Sequence, residues 1–233
     1  MSTLAAPLEE TVGAQADERA PQGHLVCVVG AHGGAGATRI ALFVADESGP
    51  DAGLIDADLS GGDTRDALGL PLRHADAGLA AVGAVDGATL VDGSRRTAFG
   101  WHYEASPRPD LAWLIRDGAM RDLVRVGLRR SPFVVVDAGR PTGPSFEPVL
   151  DADIVVLVGS VARVEAIERS RQRLIRAGAD ARRIIDCPTA SGIVERAVGR
   201  LRRDPGVIDV DRDDHLMLLI EGRLAALGRR DRS

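Results

Sequence analysis

With 233 residues, an apolar share of 45%, a charged share of 27% and a net charge of -5, the chain has the length and balance of one soluble globular domain. Its aromatic share of 3% argues against a surface that stacks on bases, no apolar run reaches the roughly 20 residues of a membrane-crossing helix, and no basic-then-apolar leader opens the chain, so a cytoplasmic protein is expected. All 29 basic residues are arginine, which excludes any mechanism that depends on lysine.

Residues 1–22 are polar and acidic without a sustained period and read as a disordered tail ahead of one domain spanning 23–233. HLVCVVG (24–30) is a continuous apolar run ending in Gly, as expected of a central parallel strand covered on both faces. A Gly-rich loop follows, and Thr38 to Asp46 reads as a helix with Ile40, Ala41, Val44 and Ala45 on its inner face. The alternation continues with a strand at 53–58 (GLIDAD), a helix around 76–84, a strand within 97–105, a helix at 119–130 with Leu123, Val126 and Gly127 inward, and a buried strand in FVVVDAG (133–139). Next come a strand at 154–160 and a helix at 162–178 with Val164, Ile167, Leu174 and Ile175 on one side. Short strands at 182–186 and 207–210 flank a helix at about 191–203, and a helix at 214–230 closes the chain. Strands alternating with helices imply a single α/β domain: a doubly wound, mostly parallel sheet with helices on both faces.

The last helix repeats Leu216, Leu219, Ile220, Leu224 and Leu227 on one face, a pattern that fits docking on the sheet better than contact with lipid. Residues 1–150 hold 13 arginines against 20 acids and residues 151–233 hold 16 against 14, so the basic clusters, such as Arg169, Arg171, Arg173 and Arg176, belong to the second part. Solvated helix faces are the plain reading of those clusters, and a surface for nucleic acid or anionic lipid the sharper one. Cys27 and Cys187 have no metal or redox spacing and read as core residues. The histidines share no metal spacing either; His24, His74, His102 and His215 are expected at surface or capping positions, leaving His32 as the one of interest.

In a sheet of this kind ligands lie beyond the carboxyl ends of the strands. Three motifs fall there: GAHGGAGATR (30–39), Asp56-Ala-Asp58, and Asp137. The glycines let backbone N–H groups point into the loop, and the start of the following helix favours an anion even with no charged side chain.

This set resembles the MinD/ParA family of P-loop ATPases, whose phosphate loop has the form KGGVGKT, and the likeness covers nearly all of residues 24–228. In that alignment His32 stands at the family's signature lysine, Gly33, Gly34 and Gly36 match its glycines with Ala35 between them, Ala37 replaces the P-loop lysine, and Thr38 matches the Mg²⁺-binding Thr. The resemblance makes Asp58 the residue that positions water, and Asp56 and Asp137 indirect holders of Mg²⁺. The stretch LIDADLSGGDTRDALGLP is most similar to the CpaE/TadZ-like and septum-site-determining branch. The implied protein is a localisation or partitioning factor for a Tad pilus, a septum or a chromosome. It would be a homodimer working with secretion, pilus or cell-division components, with peripheral membrane or nonspecific DNA contact through its arginine-rich C-terminal part. ATP and Mg²⁺ are the implied ligands, held weakly or not at all, and with two cations missing from the loop hydrolysis is expected to be very slow or absent.

Two other readings compete. The same fold could be an active ATPase that takes an arginine from its partner subunit. Alternatively, the Gly-rich turn could belong to a Rossmann-type dinucleotide-binding oxidoreductase, with Asp58 as the ribose acid. Against the latter, Arg39 stands where the third glycine falls, and Tyr103 has no lysine to pair with.

Overall fold

The computed structural model describes residues 23–61, 64–71, 78–81, 84–106, 108–189 and 210–230. The tail (1–22), the helix expected at 191–203 and the strand residues 207–209 lie outside them. Among the described residues seven strands form one sheet in the order β3-β4-β2-β5-β1-β6-β7. They are β1 (His24–Gly30), β2 (Ala52–Asp56), β3 (Arg95–Thr97), β4 (Gly100–Glu104), β5 (Phe133–Asp137), β6 (Ile154–Ser160) and β7 (Ile184–Thr189). All neighbours are parallel except the β3/β4 pair.

The central strands are apolar runs because both their faces are covered, and their side chains still sort with period two. From β1, Leu25, Cys27 and Val29 enter one core and Val26 and Val28 the other. The first core lies under α4 (Ala119–Arg130), α5 (Glu147–Asp151) and α6 (Val164–Arg176), through Leu123, Val149, Ile167 and Leu174. The second lies under α1 (Ala37–Glu47) and the last helix, here α7 (Val210–Arg230). Each fully buried leucine, such as Leu42 or Leu157, contributes roughly 1.5–3 kcal/mol.

Trp101 is the bulkiest wedge. Its Nε1–H donates to Ser131 Oγ (2.6 Å), and a Cβ on Gly53 would stand 2.0 Å from its ring, so β2 carries glycine there to admit it.

Several sequence expectations change. The strand expected within 97–105 is a hairpin, β3 turning at Ala98 and Phe99 into β4. The second strand stops at Asp56, leaving Asp58 in the loop beyond. Of the helix around 76–84, the described residues form only a 3-10 turn, Gly78–Ala81. Helix α6 starts after a 3-10 turn, and Val164 faces outward. Val210 opens α7 instead of ending a strand. The docked side of α7 is Leu216, Met217, Ile220 and Leu224, while Leu219 is turned out with Leu218 and Leu227 falls where no side chain is described. Among the described residues no helix is long and apolar enough to cross a membrane.

Candidate functional site

The Gly-rich loop joins β1 to α1 at the carboxyl edge of the sheet, and its path depends on two left-handed residues, Gly34 (φ 70) and Gly36 (φ 91). These conformations cost a side-chain-bearing residue on the order of 1 kcal/mol or more, and glycine nothing comparable. Gly36 precedes α1, no side chain caps the helix, and no acid sits in its first turn. The first-turn amides therefore lack intrahelical partners, at the positive end of an 11-residue helix.

The loop is clamped from behind, largely through its carbonyls. Ala31 O accepts from Ser170 Oγ of α6 (3.1 Å) and Ala35 O from Thr189 Oγ1 of β7 (3.3 Å). At its root the Gly30 N–H donates to Gly139 O (2.7 Å). His32 belongs to this clamp. Its Nδ1 lies 2.9 Å from Gly33 O, and its Nε2 accepts from the Ser160 N–H (3.1 Å). A carbonyl can only accept and an amide N–H only donate, so these partners assign the neutral tautomer with the proton on Nδ1. In this conformation the ring spends both nitrogens on the protein itself.

In front of the loop lies a cavity of about 1030 Å³. Its wall includes the loop residues His32, Gly33, Gly34, Ala35, Gly36, Ala37 and Thr38. The wall also includes Asp58, Ser60, residues 66–69, Gly139 and two arginines, Arg39 and Arg140. Ala37, 8% exposed, points its methyl toward the α1-side core. Arg140 carries no motif in the sequence; its one signal is its place directly after the Asp137-Ala-Gly turn.

Asp56 and Asp137 do not contribute to that wall. They end adjacent strands at the same register, 2% and 0% exposed. Asp137 Oδ1 accepts from the Gly139 N–H (3.0 Å), and Asp56 Oδ1 from the Asp58 N–H (3.1 Å). Burial, with Asp137 beside it, raises the Asp56 carboxyl to about 8. The other Asp56 oxygen accepts from Thr64 Oγ1, which is also 3.0 Å from His102 Nε2. His102 is thus in the core, not at the surface as the sequence led one to expect; burial and then Arg95 and Arg65 lower it to about 4. Thr64 opens the short α2 (Thr64–Ala67), which runs into the cavity wall, so this buried chain sets where one side of the cavity stands. Asp58 does reach the cavity. Its Oδ1 accepts from Ser60 N (3.0 Å), and its carboxylate covers Gly139 so closely that a Cβ there would be 2.2 Å from Oδ2.

Chemically, the arrangement offers a shaped, uncapped anion seat with Thr38 at its edge and Asp58 facing it. A phosphate fits. A divalent cation fits only together with the phosphate oxygens, because no group of three or more His, Cys, Asp or Glu that could hold a metal occurs among the described residues.

No family model matches the chain, and no curated protein sequence does. Solved structures do. The fold is similar to a ParA family ATPase from Chlorobium tepidum TLS, at 18% identity over 86% of this chain and 90% of that one, with a TM-score of 0.59. It is also similar to the septum site-determining protein MinD from Pyrococcus horikoshii OT3, solved with Mg-ADP: 18% identity, 87% and 85% covered, TM-score 0.56. A third is the kinase domain of the Escherichia coli tyrosine kinase ETK, at 18% identity, 73% and 69% covered, and 0.58. At such identities the shared property is the fold. This chain has the P-loop NTPase-like α/β fold. The strand order also rules out the oxidoreductase reading, since β5 lies between β1 and β2, strands that a dinucleotide-binding sheet places side by side.

Proposed function

We propose that the chain is a MinD/ParA-like localisation or partitioning factor whose loop, residues 30–38, binds a nucleoside polyphosphate and hydrolyses it slowly or not at all. The observation that carries this is the combination of a loop clamped through its carbonyls, with an uncapped helix behind it, and side chains at 32 and 37 that bring no charge to the cavity. Thr38 and Asp58, which line the cavity, would hold Mg²⁺ with the phosphates, and the ion would supply charge neutralisation at the transferred group; Asp56 and Asp137, buried behind the wall, do not reach it. Ala37 cannot span two phosphates, and His32 is occupied by Ser160 and Gly33. Phosphoryl transfer depends on positioning and charge stabilisation, so loss of both cations costs orders of magnitude in rate. Occupancy of the site, driving self-association and engagement of a pilus, secretion or division component, then becomes the working event. The arginines of α6 support nucleic-acid or lipid contact only weakly: Arg169 pairs with Glu165 and Arg171 with Asp186, while Arg173 donates to Pro141 O.

Equilibrium ATP binding with and without Mg²⁺, followed by phosphate release, tests this reading. Binding with little release is expected. Release at rates ordinary for active ATPases, abolished by Asp58→Ala, overturns it. Ala37→Lys is expected to tighten ATP at least tenfold, because a charged hydrogen bond to phosphate is worth roughly 1.5–3 kcal/mol. Absence of any gain would mean that the loop no longer presents the geometry of a phosphate seat.

A further inference from the structure

A phosphate seat without lysine needs counter-charge from elsewhere, and Arg39 and Arg140 are the cations on the cavity wall. Three observations separate Arg140 from other arginines of the chain. The first is its root. Arg140 follows Gly139, whose N–H is held by Asp137 Oδ1 (3.0 Å) and whose carbonyl accepts from Gly30 (2.7 Å). Its side chain therefore leaves from a point fixed to both the β5 end and the loop root, and Pro141 stiffens the backbone on the other side.

The second observation is its position. Arg140 borders the loop cavity and also a second one, of about 880 Å³, on the Ala31, His32 and Gly33 side toward α6. Arg140 thus stands between the two, beside the loop. The third is its state. Arg121, Arg171 and Arg182 are each held by an acid, Asp151, Asp186 and Asp180. Arg140 is exposed, and no ion pair or side-chain hydrogen bond engages it among the described residues.

Granting that the loop binds a nucleoside polyphosphate, we infer that Arg140 is the cation that replaces the missing lysine, its planar fork closing on phosphate oxygens seated at residues 33–38. A guanidinium suits this task. It stays charged at any working pH and offers paired N–H donors that match a phosphate edge. Its root on the Asp137-Ala-Gly turn ties occupancy of the seat to the end of β5. It is a binding residue; the rate deficit left by Ala37 remains.

The test is ATP binding to the full chain with Mg²⁺, measured by calorimetry on wild type, Arg140→Ala, Arg140→Lys and Arg39→Ala, with thermal unfolding of each as a folding control. Arg140→Ala is expected to unfold as wild type does and to bind ATP at least tenfold more weakly. Arg140→Lys recovers part of that loss, since a point charge replaces the fork, and Arg39→Ala changes affinity less than threefold. Wild-type protein that binds no ATP overturns the loop reading and this inference with it. Wild-type binding that Arg140→Ala leaves unchanged overturns this inference alone.

Discussion

The loop after β1 and the paired ends of β2 and β5 lie along the same edge of the sheet and are built in opposite ways. At Gly33 a Cβ would find nothing within 4 Å, whereas at Gly139 it would meet the Asp58 carboxylate at 2.2 Å. The loop is shaped for something other than the chain, and the strand ends are filled by the chain itself. The charge is split the same way: the acids are buried among their own hydrogen bonds at the strand ends, and the loop has none, nor the lysines its resemblance calls for. Shape at such a site is kept by backbone and glycine, and charge by single side chains. The two can therefore vary independently.

The contrast can be broken most sharply at Gly139. Alanine there adds a backbone penalty at φ 52 to the clash with Asp58, so Gly139→Ala is expected to lose roughly 2–4 kcal/mol, read as a lower urea midpoint. A loss under about 1 kcal/mol would mean that Asp58 moves aside freely.

Next comes pH. His102 is lowered to about 4 from 6.5, so its contribution is complete above 6.5 and is lost as pH falls toward 4. Asp56, raised, acts in the opposite sense over its own range, so the His102 effect is the difference between wild type and His102→Gln. That difference should change by roughly 2–3 kcal/mol between pH 6.5 and 4, and identical urea profiles would remove the buried Asp56, Thr64 and His102 chain from the account.

On the loop side the effects shrink. His32→Ala removes the bonds to Ser160 N and Gly33 O and is expected to cost about 1 kcal/mol of thermal stability. Gly33→Ala should change stability by less than about 0.5 kcal/mol while weakening ATP severalfold, because the added methyl stands only in the ligand's way. Equal stability losses at Gly33 and Gly139 would erase the distinction between the two regions.

Sequence alone carried the central strands and the loop because their signals are local. A strand buried on both faces reads as an unbroken Val, Ile and Leu run, as in HLVCVVG and IVVLVGS, and left-handed turns are written in glycine. Contacts that bind the site together are not local. His32 meets Ser160 across 128 positions and Thr64 meets His102 across 38, so neither histidine announced its partner. The hairpin at Ala98 and Phe99 was hidden for another reason: neither residue is a usual turn former, and the break falls within a continuous strand-like run. Spacing alone places Leu219 on the docked face of α7, but Met217 packs inward while Leu219 turns out.

The two rims of the sheet carry a consequence for how copies could meet. Among the described residues one rim is β3, three residues long and bearing Arg95 and Arg96, and the other is β7, which carries Pro188, a residue with no amide donor. Among the described residues neither rim favours the annealing of a further strand. Copies that meet away from these rims would meet through helices and loops, the elements that carry the cavity of the Gly-rich loop.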